Sequence, residues 1–141
     1  MLGRKTYEPE ELAQAKTAID KEVRAYKKVA KAAAGDDAAA SAIAAFEPLF
    51  VNGLIMTLDR FFIHRVRPVV GKDPNPLNEV EVLAESLLAG TTLKTNKVIK
   101  WVPDQMVLGL EDGDPLSLTV VQFERLAKAF FAELEARFIE A

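Results

Sequence analysis

The sequence predicts an α+β domain that is mostly helical, with four to five helices and a small antiparallel β-meander before the C-terminal helix. Two patterns lead to this prediction. Apolar residues recur at steps of three and four along four segments, which is the period of an amphipathic helix. Between residues 97 and 118, short β-prone runs alternate with turn residues, which is typical of a meander. Because a small meander is marginal alone, we expect it to lean on the helices.

The length and composition suit one globular domain over residues 1–141. Within it we expect residues 1–8 to be a flexible start and residues 46–141 to be the best-defined part. The chain contains no cysteine, which excludes disulfides, thiolate metal sites and cysteine nucleophiles. It has a single histidine, so a zinc site would need carboxylates for most of its ligands, which is uncommon. We therefore predict no metal and no cofactor.

The first helix is predicted over residues 9–34, with Pro9 at its first position. Its apolar residues form one narrow stripe on an otherwise charged surface: Leu12, Ala15, Ile19, Val23, Tyr26, Ala30 and Ala33. Such a stripe has two interpretations. The helix lies on its own domain, or it pairs with a helix of a partner.

A break is predicted at residues 35–37, where glycine and aspartate suit a helix end and a new helix start. Residues 30–45 contain ten alanines, so this segment either packs very closely or stays mobile. Pro48 should begin or kink the central helix, predicted over 48–67. One half of that helix is apolar and is the expected nucleus of the core: Phe50, Val51, Leu54, Ile55, Leu58, Phe61, Phe62 and Val66.

Three prolines within residues 68–76 exclude a helix there. Asn75 and Pro76 should start the next helix as N-cap and first residue, and Gly90 should close it. The meander is predicted from the runs 97–102, 106–110 and 116–118, with a turn at 111–114. Thr119 and Gln122 fit a capping box that starts the last helix, predicted over about 120–139.

One polar cluster stands out at the end of the central helix. Arg60, His64 and Arg67 share a helix face by spacing, and two guanidinium groups beside an imidazole could hold a carboxylate or phosphate. The proline-rich loop could fold the following polar residues back onto this cluster. The ligand-binding hypothesis therefore names Arg60, His64, Arg65, Arg67, Asn78 and Glu79, with His64 or Glu79 handling protons.

A structural interpretation stands beside this hypothesis. Arginines at the end of a helix complement its dipole and pair with nearby acids such as Asp73, Glu79 or Glu81. A third interpretation makes His64 a phospho-acceptor in a helical bundle, as in histidine-kinase dimerisation helices. Arg67 at plus three fits that pattern, whereas Arg65 at plus one and Pro68 at plus four depart from it.

Three segments together resemble a family of small bacterial proteins without an assigned activity. They are Leu58–Arg65, Asn75–Val80 and Phe130–Glu133, and the resemblance covers roughly residues 46–138. It implies no substrate, cofactor or catalytic residue.

The sequence ranks three functions. Standard nucleotide-binding and hydrolase fingerprints are missing, and the first and last helices carry narrow stripes. We therefore expect a non-enzymatic interaction or assembly domain, as a homodimer or with a protein partner. The alternative is a binding or enzymatic pocket for a small anionic metabolite at the arginine–histidine cluster, so catalysis stays open.

Nucleic-acid binding through the basic first helix is a minor alternative. Residues 1–34 carry a net charge of +3 and the rest −6, which gives −3 overall, and an acidic body disfavours a nucleic-acid partner. The charged start lacks the apolar core of a signal peptide. The most apolar stretch, 49–63, is too short and too polar to span a bilayer. These features predict a soluble cytoplasmic protein that does not enter a membrane.

Overall fold

The computed structural model describes residues 7–63 and 70–138. In this part the chain forms α1 (Pro9–Ala33), α2 (Asp37–Ile63), α3 (Pro76–Ala89) and α4 (Val120–Phe138), with a 3₁₀ turn at Pro103–Gln105. The mostly helical class and the helix number are confirmed. Residues 1–6 of the expected flexible start lie outside the described part. Tyr7 is fully buried, and its N–H donates to the Phe138 carbonyl at 2.7 Å.

The stripe of α1 packs on its own chain. Leu12, Ile19 and Val23 are buried, and Ala15 and Tyr26 pack against the same core. The helix lies against both α2 and α4. Its stripe is therefore largely covered along the first four turns, which leaves no need for a partner helix there.

Of the two roles predicted for Pro48, the start of the central helix is wrong, because α2 is continuous from Asp37 to Ile63 and contains Pro48; the kink stays a prediction. Asp36 caps its start, with its Oδ1 accepting from the Ala39 N–H at 3.1 Å. The alanines that follow have the highest helix propensity. This propensity compensates for the one backbone hydrogen bond that Pro48 cannot donate. The Ala-rich segment is thus helical on both sides of the break. Residues 64–67 of the predicted helix lie outside the described part.

The starts of α3 and α4 follow the predicted caps. Asn75 Oδ1 accepts from the Asn78 N–H at 2.9 Å at the start of α3. Thr119 and Gln122 form the reciprocal capping box of α4, with bonds of 3.2 and 2.9 Å. Glu47 of α2 adds a carboxylate at the same end, where its Oε2 accepts from the Val120 N–H at 2.8 Å, a position that the helix dipole favours.

The predicted β-meander is wrong: the described residues contain no β-strand, and within the predicted meander region an isolated bridge joins Thr92 and Pro115. The physical reason is that side chains satisfy the backbone groups that a ladder would need. Asn96 Oδ1 accepts from the N–H groups of Val98 and Ile99. In the run that begins at Met106, the Glu79 carboxylate accepts from the N–H groups of Val107 and Leu108. The turn at 111–114 is present, with Gly113 at φ +91° and the Asp114 N–H donating to the Glu111 carbonyl.

The helices are arranged around one core. α2 lies between α1 and α3, and α4 packs against all three. The core is built from the predicted apolar half of α2, where Val51, Leu54, Ile55 and Leu58 are at most 2% exposed, together with one side of each other helix. This arrangement covers three sides of the second half of α2 and leaves the side opposite α4 open.

Candidate functional site

The structure describes three of the six predicted ligand-binding residues, Arg60, Asn78 and Glu79. His64, Arg65 and Arg67 lie outside the described residues. Arg60 is exposed in the last turn of α2, where a positive charge complements the helix dipole. The phospho-acceptor and anion-pocket hypotheses depend on His64 and the two following arginines, so both stay predictions.

Asn78 has a structural role. The residue is 1% exposed, and its Nδ2 donates to the carbonyls of Gly71 and Asp73 at 3.3 and 2.8 Å. Gly71 has a φ of +84°, a conformation that glycine adopts without strain. The side-chain amide of Asn78 therefore fixes the loop before α3, because it donates to backbone carbonyls of that loop.

Glu79 is also used inside the protein. It is 1% exposed, and its two carboxylate oxygens accept from the N–H groups of Val107 and Leu108 at 2.8 and 3.0 Å. Burial raises the pKa of Glu79, while these two hydrogen bonds and the charge of Arg125 oppose the shift. Arg125 also donates to the Val107 carbonyl at 2.9 Å. The carboxylate ties the loop of residues 106–108 to α3, and nothing in the sequence spacing indicates Arg125 as its neighbour.

Part of the basic surface of α1 is already neutralised. Lys27 pairs with Glu124 of α4 at 2.8 Å, and Lys16 pairs with Glu135 and lies over the Phe131 ring. These exposed pairs lie between α1 and α4 and contribute little to stability, but they reduce the charge available to a nucleic acid. Among the residues that the structure describes, no group of three histidine, aspartate or glutamate side chains could hold a metal ion.

A feature that the sequence analysis missed is an uncharged exposed stripe on α2. We define the outer face of α2 as Ala38, Ala42, Ala45, Leu49, Gly53, Met56 and Arg60. On a helical wheel at 100° per residue, each of these residues lies within about 40° of the mean direction of the set. Met56 is half-buried and the other six are exposed, with Leu49 at 66%. Between Asp37 and Asp59 the sequence of α2 has one charged residue, Glu47, and that residue caps α4 on the opposite side.

A groove between α1 and α2 borders this face. It has a volume of about 540 Å³ and its walls include Tyr26, Val29, Phe46 and Phe50. Tyr26 stacks on Phe50 with ring centroids 5.0 Å apart, which forms the floor, whereas Val29 and Phe46 are 53% and 48% exposed. A second hollow of about 410 Å³ continues along the same helices past Ala18 and Thr57. The apolar surface therefore extends beyond a single side chain.

The end of the α1–α2 hairpin that contains the connection between the two helices projects beyond the bundle. No residue from 24 to 50 is buried, and the contacts of Lys27 and Glu47 with α4 mark where the bundle stops. We call residues 28–46 the arm. On α2 it extends about 15 Å past the bundle, at 1.5 Å per residue. A two-helix arm with exposed phenylalanine and valine lacks the further layer that usually buries such side chains.

By length and composition, the segment Asp37–Phe61 is one helix that could cross a membrane, and 17% of its most apolar window is buried. Its extent differs from the 49–63 stretch considered in the sequence, because the alanines lengthen the helix. The half that carries Val51, Ile55 and Leu58 packs in the protein core. In this fold, that half of α2 therefore contacts protein and not lipid.

Comparison with protein-family models, curated proteins and solved structures finds no match to this chain. The resemblance to a family of small bacterial proteins stays a prediction.

Proposed function

We propose that this chain is a non-enzymatic assembly domain that acts as a homodimer, joined through the outer face of α2. The observation that carries the proposal is the exposed, uncharged stripe from Ala38 to Met56 with the apolar groove beside it. Soluble monomers rarely expose an apolar patch of this extent without using it for an interaction.

The extent of the face suits a second copy. From Ala38 to Arg60 it is about 33 Å long. It is roughly 20 Å wide where α1 and α3 both flank α2, and roughly 15 Å wide along the arm, where α1 is the flanking helix, since packed helices lie 8–10 Å apart. This gives roughly 600 Å² on each copy, at the lower end of stable protein interfaces. From Ala38 to Met56 the face has no charged residue, so two copies can meet there without contact between like charges, as a self-complementary twofold interface requires.

The proposal changes the basis of the assembly hypothesis. The narrow stripes of α1 and α4 that suggested assembly from sequence are mainly buried in the chain's own core. The support now comes from α2, which is apolar on more than one side. The cytoplasmic location remains part of the proposal, since a lipid-facing α2 would compete with a second copy for the same face.

Light scattering coupled to size-exclusion chromatography tests the proposal. We expect the wild-type chain to elute at twice its 15.5 kDa protomer mass. Leu49→Glu should weaken dimerisation by roughly two orders of magnitude, because it places an unpaired carboxylate against the partner's apolar face. The matched control is Val121→Glu on α4, since Val121 is 65% exposed and lies away from this face.

A wild-type chain that stays monomeric at high concentration would overturn the homodimer. The same holds if Leu49→Glu and Val121→Glu dimerise equally well. A monomer that binds phosphatidylcholine vesicles, and loses that binding in Leu49→Glu, would replace the second copy by a membrane surface.

A further inference from the structure

The charges at the two ends of α2 constrain how two copies can meet, given the proposed dimer. The exposed acids Asp36 and Asp37 lie at the start of the helix, and the exposed Arg60 lies in its last turn beside the half-buried Asp59. The stripe between them is uncharged. A parallel pair would place Arg60 beside the partner's Arg60 and the two acids beside their own copies. An antiparallel pair places opposite charges together, and like charges in contact are penalised.

We propose that the two copies pair antiparallel through α2, about a twofold axis that passes beside Leu49. In this register, residues whose numbers add up to 98 lie at the same level along the helices. Arg60 then lies next to the partner's Ala38, within reach of the partner's Asp37. Both ends of the interface gain an attraction between unlike charges.

The side-chain sizes support the same register. Leu49 meets the partner's Leu49 at the axis, and one turn away on each side Ala45 lies level with the partner's Gly53. Apart from its chain neighbours and the backbone of its own helix, no atom of the described residues lies within 4 Å of the position that a Cβ of Gly53 would occupy, so a neighbouring helix can approach closely there. Small residues at such levels are what lets two helices pack at short distance.

The exposed aromatic side chain fits as well. Phe46 lies on the α1 side of the face and is 48% exposed. A twofold axis in the interface plane keeps the α1 sides of the two copies together, so Phe46 faces the open space above the partner's Gly53. The α1–α2 grooves of the two copies then close over each other, and the exposed Ala25 and Val29 become part of a four-helix contact.

Single cysteines test this geometry, because the natural chain has none. The variants Ala38→Cys, Ala45→Cys, Leu49→Cys and Gly53→Cys would be oxidised as dimers under mild conditions. A disulfide needs Cα atoms within about 7 Å. In the proposed register only position 49 meets its own copy, since two copies of position 45 are about 12 Å apart and two of position 38 about 33 Å apart.

We expect self-cross-linking to be at least tenfold greater at position 49 than at 38, 45 or 53. A mixture of Ala45→Cys and Gly53→Cys chains should form the mixed dimer. Comparable yields at 38, 45 and 49 would show a parallel pair and overturn the inference while leaving the homodimer intact. Absence of a cross-link at 49 in a chain that light scattering shows to be dimeric would also overturn it. A monomer by light scattering would instead remove the proposed function on which the inference rests.

Discussion

Glu79 offers the sharpest test of how the long segment before α4 is held. Replacing it by alanine leaves the N–H groups of Val107 and Leu108 without their acceptor. Each buried donor without a partner costs about 1–3 kcal/mol, and Val107 and Leu108 are half-buried residues, so water compensates in part. We expect Glu79→Ala to lower the free energy of unfolding by about 2–4 kcal/mol. Glu79→Gln retains one oxygen acceptor and should cost about half as much.

The pH dependence gives the sign of the electrostatic contribution. Burial raises the pKa of Glu79 in the folded protein, so the native state binds this proton more tightly than the unfolded chain does. The resulting stabilisation is fully present below the ordinary glutamate pKa and is lost as pH rises through the raised value. Relative to Glu79→Gln, which cannot titrate, the wild-type protein should therefore lose stability as pH increases through that window.

Urea unfolding between pH 4 and 8 measures both effects. Circular dichroism reports the helices, and fluorescence of Trp101, the single tryptophan, reports the loop, since its Nε1 donates to the Leu110 carbonyl at 2.8 Å. The control is Glu85→Gln, an exposed acid on the same helix, which should change stability by less than about 0.5 kcal/mol. A cost below about 0.5 kcal/mol for Glu79→Ala, or a wild-type minus Gln difference that does not vary with pH, would refute the reasoning.

Two further predictions concern amide and cap positions. The Oδ1 of Asn52 is buried and has no hydrogen-bond partner among the described residues, so Asn52→Leu should stabilise the protein by about 1 kcal/mol in urea unfolding. Asn78→Leu removes the Asn78 donor from the Gly71 and Asp73 carbonyls, although Asn75 Nδ2 still donates to the Asp73 carbonyl at 3.2 Å, so this substitution should cost about 1–3 kcal/mol. Equal effects of the two substitutions would contradict this contrast. Asp36→Ala should cost about 1 kcal/mol through loss of the α2 cap, and a thermal melt unchanged from wild type would show that the cap is not needed.

Local signals in the sequence predict the helices well. Asn75, Thr119 and Gln122 mark helix starts because each cap joins residues only three positions apart, and such short-range hydrogen bonds are readable from spacing. The failed meander shows the limit of that approach. Val107 and Leu108 have strand-like composition, yet their N–H groups bind a carboxylate 28 and 29 positions away. Tertiary contacts of this kind override local β-propensity.

The candidate interface escaped the sequence analysis for a related reason. A stripe is recognised by its contrast with a polar opposite face, and α2 offers little contrast around Ala42, Ala45 and Leu49. The wheel correctly selects Val51, Leu54 and Leu58 for the core, but it does not show that the other described helices leave the outer face of α2 exposed. That fact depends on where α1, α3 and α4 pack.

The two halves of α2 together favour assembly over a free monomer. A helix that is apolar around most of its surface is usually buried on all sides. Here the bundle covers the inner side of the second half of α2, where Ile55 is buried. In the arm, α2 packs against α1 without a further layer of helices among the described residues. α2 begins ten residues before the edge of the bundle, on the N-terminal side of Pro48. This extension gives the monomer no additional buried residue, since no residue between 24 and 50 is buried. The extension gains a physical role once a second α2 lies along it, because the same exposed alanines then permit close helix packing and the exposed Phe46 and Leu49 leave water.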